Sequence, residues 1–351
     1  EPRSTQSFAA AWLSPLMALV LTVITGGVIF LAMGKDPSTA LYIYFVEPLT
    51  TTSGLSEVAV KAGPLILIGI GLSFGFRAGI WNIGAEGQYI AGAIAGGGLA
   101  VYFYESESTL LLPAMLVLGT LGGMAWAAVP ALLKTRFNAN EILVSLMLVY
   151  VAELLLVHLV QGPWRNPQGW GFPGTRLFPD AATMPLLFSG KRVHLGTLIT
   201  LAVPFIAWFI LARTRFGFTV RVFGSAPLAA RHAGVHGHRM IWQSLLIGGG
   251  LAGLAGVIEA TGTIGQLVPN ISPGYGFTAI IVAFLGRLHP LGVLLAGIAI
   301  AVTYIGGEGA QISAGLPKAV TSLFQGIILF YLLAFDLFTR YRIIVSSRAT
   351  E

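Results

Sequence analysis

The sequence predicts an all-α polytopic membrane protein, and three observations carry that prediction. Hydrophobic residues make up 55% of the 351-residue chain, and the mean hydropathy is +0.81. Charged residues make up only 10%, where a soluble domain carries about 25%. Apolar runs recur from residue 12 to residue 338 with short interruptions, and roughly 20 such residues cross a bilayer as a helix. The net charge of +6 reads as membrane topology rather than a nucleic-acid footprint, because the basic residues collect on one side. With no cysteine, the chain has no disulfide framework and no thiolate metal or redox site.

Taken in order, the first run, Trp12 to Met33, is longer than the apolar core of a signal peptide and lacks a cleavage pattern. It reads as a retained helix over 12–34. Further runs predict helices over 60–76, 82–103, 110–133, 141–160, 194–212, 241–261, 276–287, 290–305 and 317–338, about ten spans by the length rule. With the N-terminus inside, the inside loops hold Arg77, Lys134, Arg136, Arg213, Arg215, Arg221, Arg231, Arg239, Arg287, Arg340, Arg342 and Arg348. The outside loops hold Lys35, Lys61, Arg165, Arg176, Lys191, Arg192 and Lys318, offset by acids such as Glu57, Glu105, Glu107 and Asp180. The positive-inside rule places both termini in the cytoplasm. The chain then reads as a single transmembrane domain over 1–351, with an extracytoplasmic loop over 161–193 and a cytoplasmic loop over 213–240. The prolines, glycines and aromatics of the outer loop suit an ordered lid better than a flexible linker.

The runs 60–76 and 276–287 are too short to cross alone, and each ends in a Gly-interrupted polar break. The breaks are FRAGIWNIG (76–84) and FLGRLHPLG (284–292), each followed by an apolar Gly/Ala run. Paired interruptions in the two halves mark a transport site, because unwound backbone is tolerated only where protein or a water-filled cavity satisfies it. The candidates for lining a translocation path are Phe74, Trp81, Asn82, Glu86, Gln88 and Phe284 beside the breaks, and Glu259 and Gln266 around TGTIGQLVPN (261–270). Ionisable groups within spans are costly and need a partner. Glu86 has two readings: a path residue with Arg77 or Arg287 as counter-charge, or a brace at a helix start together with Asn82. Glu153, with His158 on a similar side, reads as a helix-to-helix hydrogen bond. His232, His236 and His238 read as part of a solvated basic loop rather than a metal site.

Within the cytoplasmic loop, GSAPLAARHAGVHG (224–237) is punctuated as a two-turn helix over 226–233. Ser225 is placed to cap it, Pro227 suits its first turn, and Gly234 can take the left-handed conformation that ends it. Leu228, Ala229 and Ala233 form a small apolar peg for a groove, with Arg231 and His232 as polar rim.

Ala229, Ala230 and Gly234 match the A-A-x-x-x-G core of the coupling loop of ABC importer permeases, with Leu228 standing where the broader pattern often has Glu. This segment resembles the branched-chain amino acid and simple sugar permease superfamily, as do FRAGIWNIGAEGQYIAGA (76–93), NANEILVSLMLVYVA (138–152) and GFTAIIVAFLGRLHPLGVLLAG (276–297). The likeness is best to permeases of nucleoside and simple sugar importers that work with basic-membrane-protein-type binding lipoproteins. The resemblance implies a type II ABC importer-like fold in the bacterial cytoplasmic (inner) membrane. It also implies three partners: a cytosolic ABC ATPase, often a fused double cassette, a paralogous second permease, and an extracytoplasmic substrate-binding lipoprotein. The chain has no G-x-x-x-x-G-K-[ST] phosphate loop, so ATP and Mg²⁺ belong to the partner ATPase and the chain itself is not an enzyme. For a nucleoside, the aromatic residues beside the breaks would stack on the base, while Asn82, Gln88 and Gln266 would meet ribose hydroxyls.

The competing readings are an ABC permease for another sugar or a riboflavin-like heterocycle, and an ion-driven secondary transporter using Glu86, Glu153 and Glu259. Against a membrane enzyme, the spans hold no His-Glu zinc pattern, paired aspartates or Ser-His arrangement.

Overall fold

The computed structural model describes residues 8–340; Arg342, Arg348 and the placement of the two termini lie outside the described residues. Among those described, regular structure is helical, apart from one antiparallel bridge between Leu186 and His194. Helix α1 (Phe8–Ala32) leads to α2 (Pro37–Leu41), a π-helical turn (Tyr42–Val46) and α3 (Glu47–Thr50). Then come α4 (Thr52–Arg77), α5 (Ala85–Tyr102), α6 (Leu111–Phe137) and α7 (Glu141–Gln161). After a long loop follow α8 (Leu195–Arg213), α9 (Arg215–Ser225), α10 (Pro227–His232) and α11 (Gly237–Ile258), which continues into a π-helical turn (Glu259–Ile264). The described chain closes with α12 (Tyr275–Leu285), α13 (Pro290–Ala314) and α14 (Ala319–Arg340).

Among the described residues, 6 helices are long and apolar enough to cross a membrane: α4, α6, α7, α8, α11 with its π turn, and α13. Leu16–Ala32, Tyr275–Leu285 and Ala319–Phe335 are shorter apolar stretches. The run 60–76 proves to be part of the 26-residue α4, which can cross by itself. Glu57 and Lys61, read from sequence as loop charges, lie within this helix and find partners there. Glu57 pairs with Arg192 at 3.0 Å, and the Lys61 ammonium lies 5.8 Å from the centre of the Tyr275 ring. The other short run stays short, as the 11-residue α12.

The chain divides into two compact units, Glu1–Gly54 with Val302–Glu351, and Leu55–Ala301. In the first, Tyr44 stacks on Phe324 with ring centroids 4.7 Å apart and Phe30 lies 5.5 Å from Phe324, with Ala310, Leu316 and Val320 around them. In the second, α5, α6 and α11 meet backbone to backbone. Gly92 faces Gly253, Gly123 faces Gly249 and Gly253, and Gly256 faces the Tyr89 carbonyl, with no room for a Cβ at these contacts. The run GGGLAGLAG (248–256) is therefore a packing seam.

The long loop of the second unit is tied along the π turn of α11 and the chain that follows it. Met184 N–H donates to Thr261 O at 3.0 Å, Phe178 N–H to Gly265 O at 2.7 Å and Thr175 N–H to Leu267 O at 3.0 Å. Arg192 adds a bond from Nη2 to Thr263 O at 3.2 Å. These bonds hold the loop in place against the end of α11.

Candidate functional site

The two breaks meet. Helix α4 ends at Arg77, and the chain runs irregularly through Gly79, with φ +71°, before α5 starts. Beyond α12, Arg287 and Leu288 adopt left-handed φ values of 53° and 56°, a conformation rare for residues with a side chain. Arg77 Nε donates to the Leu288 carbonyl at 2.9 Å, which joins one break to the other. Beside that bond three aromatic rings gather: Phe76 lies 5.3 Å from Phe284 and 5.0 Å from Trp81, and Trp81 lies 6.0 Å from Phe284. Trp81 is 41% exposed, so one ring of the cluster is open to its surroundings.

The polar candidates near the first break turn inward. Asn82 Nδ2 donates to Gln88 Oε1 at 2.8 Å, Gln88 Nε2 donates back to Asn82 Oδ1 at 3.1 Å, and Gly84 N–H joins Oδ1 at 3.0 Å. This buried reciprocal pair staples the break to the first turn of α5. Glu86 also belongs to α5, yet its Oε2 accepts the Gly276 amide of α12 at 2.5 Å. The Ser272 hydroxyl and the Gly274 amide bond the same carboxyl group. A carboxylate at these first amides satisfies donors that have no partner within α12 and complements the helix dipole. The counter-charge expected from Arg77 is spent elsewhere, on Leu288. Glu86 is a brace, but of α12 rather than of its own helix.

The remaining candidates divide by environment. Glu259 is buried at the start of the π turn and accepts a hydrogen bond from Thr263 Oγ1 at 3.1 Å. Gln266 is half-buried beside Gly174 of the long loop. Phe74 stacks on Phe216 with centroids 6.1 Å apart and lines an apolar cavity of about 380 Å³ with Met124, Ile210 and Leu251. Glu153 and His158 lie exposed on α7, with Glu153 one turn from the buried Val149 and Leu156. A π turn inside a helix recurs at functional sites, and here it presents Thr263 to His194, 3.5 Å from Nε2.

Sequence inspection passed over His194. It sits at the N-cap of α8, just outside the span, and Gly262 has no room for a Cβ against its ring. Burial, with Arg192 nearby, brings its imidazole down to about 4. A lone histidine at the head of an apolar run carries little signal; only the fold brings Gly262 and Thr263 against it.

In the loop 213–240, the expected short helix is α10, with Pro227 in its first turn. Gly234, at φ +86°, and the bond from Val235 N–H to Ala230 O at 2.9 Å end it. Ser225 does not cap this helix. It is the last residue of the unforeseen α9, and its Oγ donates back to Arg221 O at 2.9 Å. Leu228 is 73% exposed, with Ala229, Arg231 and Ala233 exposed beside it, whereas Ala230 is fully buried. Helix α10 packs on α9, and Gly224 of α9 lies so close to the Arg77 carbonyl that a Cβ would not fit. Among the described residues no three His, Asp or Glu side chains gather to hold a metal ion.

The model of the family "branched-chain amino acid transport system / permease component" matches residues 54–333. The chain belongs to this family. It is 37% identical over 353 residues to the glucose ABC transporter permease protein TsgB13 of Haloferax volcanii, covering 98% of this chain and 92% of that protein. It is 30% identical over 325 residues to the guanosine ABC transporter permease protein NupP of Bacillus subtilis, covering 91% and 92%. Among solved structures, a metal-chelate type ABC transporter in an inward-facing conformation aligns at 20% identity with a TM-score of 0.45, over 92% of this chain and 98% of that one. The chain is thus a multi-pass permease subunit of an ABC transporter that works with an ATPase and a substrate-binding protein, and it is not itself an enzyme.

Proposed function

We propose that this permease is one of two in an importer that moves a hydroxyl-rich ring substrate, a nucleoside or a simple sugar, by alternating access. The observation that carries the reading is the geometry of α10. Its exposed apolar residues Leu228, Ala229 and Ala233 form a peg, Ala230 keys it to the protein, and α9 beneath it abuts the end of α4. Displacing α10 therefore pushes on Arg77, and through Arg77 on Leu288 in the second break. ATP-driven closure of a cytosolic ATPase, holding ATP and Mg²⁺, would act on this lever. Two discrete arrangements of the packed breaks would then open the path to one side or the other.

The finer assignments follow from the same reading. The chain acts as one permease domain, with about ten crossings and both termini in the cytoplasm, on the side of α10 that the arginines mark. The lid around 161–193 faces the binding lipoprotein. The ATPase is a fused double cassette, the second permease a paralogue, and the membrane the bacterial cytoplasmic membrane. Substrate class rests on the relatives, whose names include glucose and guanosine. Because Asn82, Gln88, Glu86 and Glu259 are occupied by internal bonds, the path runs along an outer face of this chain, between it and the second permease.

The test is uptake by vesicles holding both permeases, the ATPase and the binding protein. Uptake should require ATP and survive an uncoupler, and Leu228→Asp with Ala229→Asp should lower it at least about tenfold while the complex still inserts and folds. A charged peg loses its groove because burying an unpaired carboxylate costs several kcal/mol. Normal uptake in the double variant would refute the peg, and collapse with the uncoupler would favour an ion-driven transporter.

A further inference from the structure

In the long loop, the segment PWRNPQGWGFPGTRLF (163–178) folds into a closed tip that Asn166 holds shut. Its N–H donates to Gly174 O at 2.8 Å, its Oδ1 accepts from Gln168 N–H at 3.0 Å and its carbonyl accepts from Gly169 N–H at 3.1 Å. Trp170 and Gly171 then take left-handed φ values of 49° and 90°, a costly conformation for a residue as large as tryptophan. The turn leaves Trp170 96% and Phe172 78% exposed. Two large rings are thus held outward on a backbone that is already ordered.

At the base of the tip, the Trp164 ring packs on Gly98 of α5, where a Cβ would not fit, and meets Tyr102 edge-on at 6.0 Å. Beside it opens a cavity of about 220 Å³ lined by Tyr104, Trp164, Arg165, Arg176 and Phe178. Arg176 lies 5.2 Å from the centre of the Tyr104 ring, and no ion pair holds either arginine among the described residues. An adjoining hollow, which shares Tyr104, is lined by Glu105, Glu107 and Asp180, all exposed. Two arginines and three acids therefore meet at Tyr104. Helix α5 begins at the first break, whose other end, Arg77, abuts α9, and runs about 27 Å to Tyr102. This surface stands at the end of the second unit opposite α10.

We propose that this surface is where the importer's substrate-binding protein docks. Trp170 and Phe172 enter an apolar hollow of that protein, one of its carboxylates enters the cavity of Arg165 and Arg176, and its basic side chains meet Glu105, Glu107 and Asp180. The proposal deepens the permease reading above and rests on it. Tryptophan, tyrosine and arginine are the residues that anchor protein interfaces, and a tip ordered beforehand loses little freedom on binding. Charges of both signs set the orientation of the partner and speed its arrival. They also favour a protein over the membrane surface, since anionic lipid attracts arginines but is repelled by the acids beside them.

The test follows binding of the importer's own substrate-binding protein to the assembled importer in lipid discs, at about 50 and about 300 mM salt. Arg165→Ala with Arg176→Ala should slow association at least about fivefold at the lower salt and flatten its salt dependence. Trp170→Ala with Phe172→Ala should speed dissociation at least about tenfold. Glu105→Gln, Glu107→Gln and Asp180→Asn together should weaken binding as well. Unchanged rates in the first two variants, or tighter binding in the third, would overturn the proposal. The chain has no cysteine, so an environment-sensitive fluorophore on Gln168→Cys reports on an otherwise unaltered tip, even where another variant does not assemble. Its emission should move to the blue only when the binding protein is added. Emission already blue in discs alone would mean that the tip enters lipid, and would also overturn the proposal. Uptake that needs no ATP would instead refute the permease reading, and the fluorophore would still report what the tip touches.

Discussion

Glu86 shows how a residue that reads as a functional charge can be a structural one. Its carboxyl group accepts the Gly276 amide across 190 residues of sequence, holding the start of α12 against α5. Glu86→Ala should lower stability by about 2 kcal/mol, the cost of leaving a buried donor unmade. Glu86→Gln keeps an acceptor oxygen and should cost less than half of that, measured as thermal midpoints in detergent. An equal drop for both would mean that the charge matters rather than the acceptor. His194 is the second such residue, and its signature is pH. Burial, then Arg192, lowers the imidazole from 6.5 to about 4, so between these values the unfolded chain binds the proton that the folded one refuses. Its contribution is complete above pH 6.5 and falls as pH drops through the window, by up to about 3 kcal/mol. The midpoint of wild type should fall more steeply from pH 7 to pH 4 than that of His194→Gln; parallel curves would reject the assignment. Residue identity was legible at both positions, but their roles were not, because each role depends on a partner far away in the sequence.

At the scale of elements, punctuation was legible and packing was not. Pro227 and Gly234 mark α10 because they act through their own backbone. Helix α9 escaped notice because RFGFTVRVFGS is short, carries two glycines and two arginines, and gains its stability from burying Val220 and Phe223. The start of α4 lies upstream of the apolar run, in a stretch that carries Glu57 and Lys61, whose partners Arg192 and Tyr275 are distant in sequence. The seam of α5, α6 and α11 supplies the prediction proper to this scale. At Gly253 a Cβ would stand 2.8 Å from Gly123 Cα and 2.9 Å from its nitrogen, so Gly253→Val should destabilise by about 2–3 kcal/mol through overpacking. At Gly326 in α14 a Cβ meets nothing within 4 Å. Gly326→Ala should therefore gain about 0.5–1 kcal/mol from helix propensity. Detergent melting of the two variants checks both signs, and a neutral Gly253→Val would mean that the seam can open.

At the scale of the whole molecule, composition alone determined the class. A chain with 55% hydrophobic and 10% charged residues has no stable soluble arrangement, and apolar runs of bilayer length leave helices as its way of satisfying the backbone. The paired breaks and the short helix α10 were also legible in the sequence, because glycine, proline and charge act locally wherever they stand. What only the tertiary structure decided is the direction in which each polar group faces: Asn82 and Gln88 toward each other, and Glu86 toward the Gly276 amide of α12. In water an apolar stripe tells which side of a helix is buried. In a membrane both the protein interior and the lipid are apolar, so the pattern along a span does not distinguish its inner from its outer side.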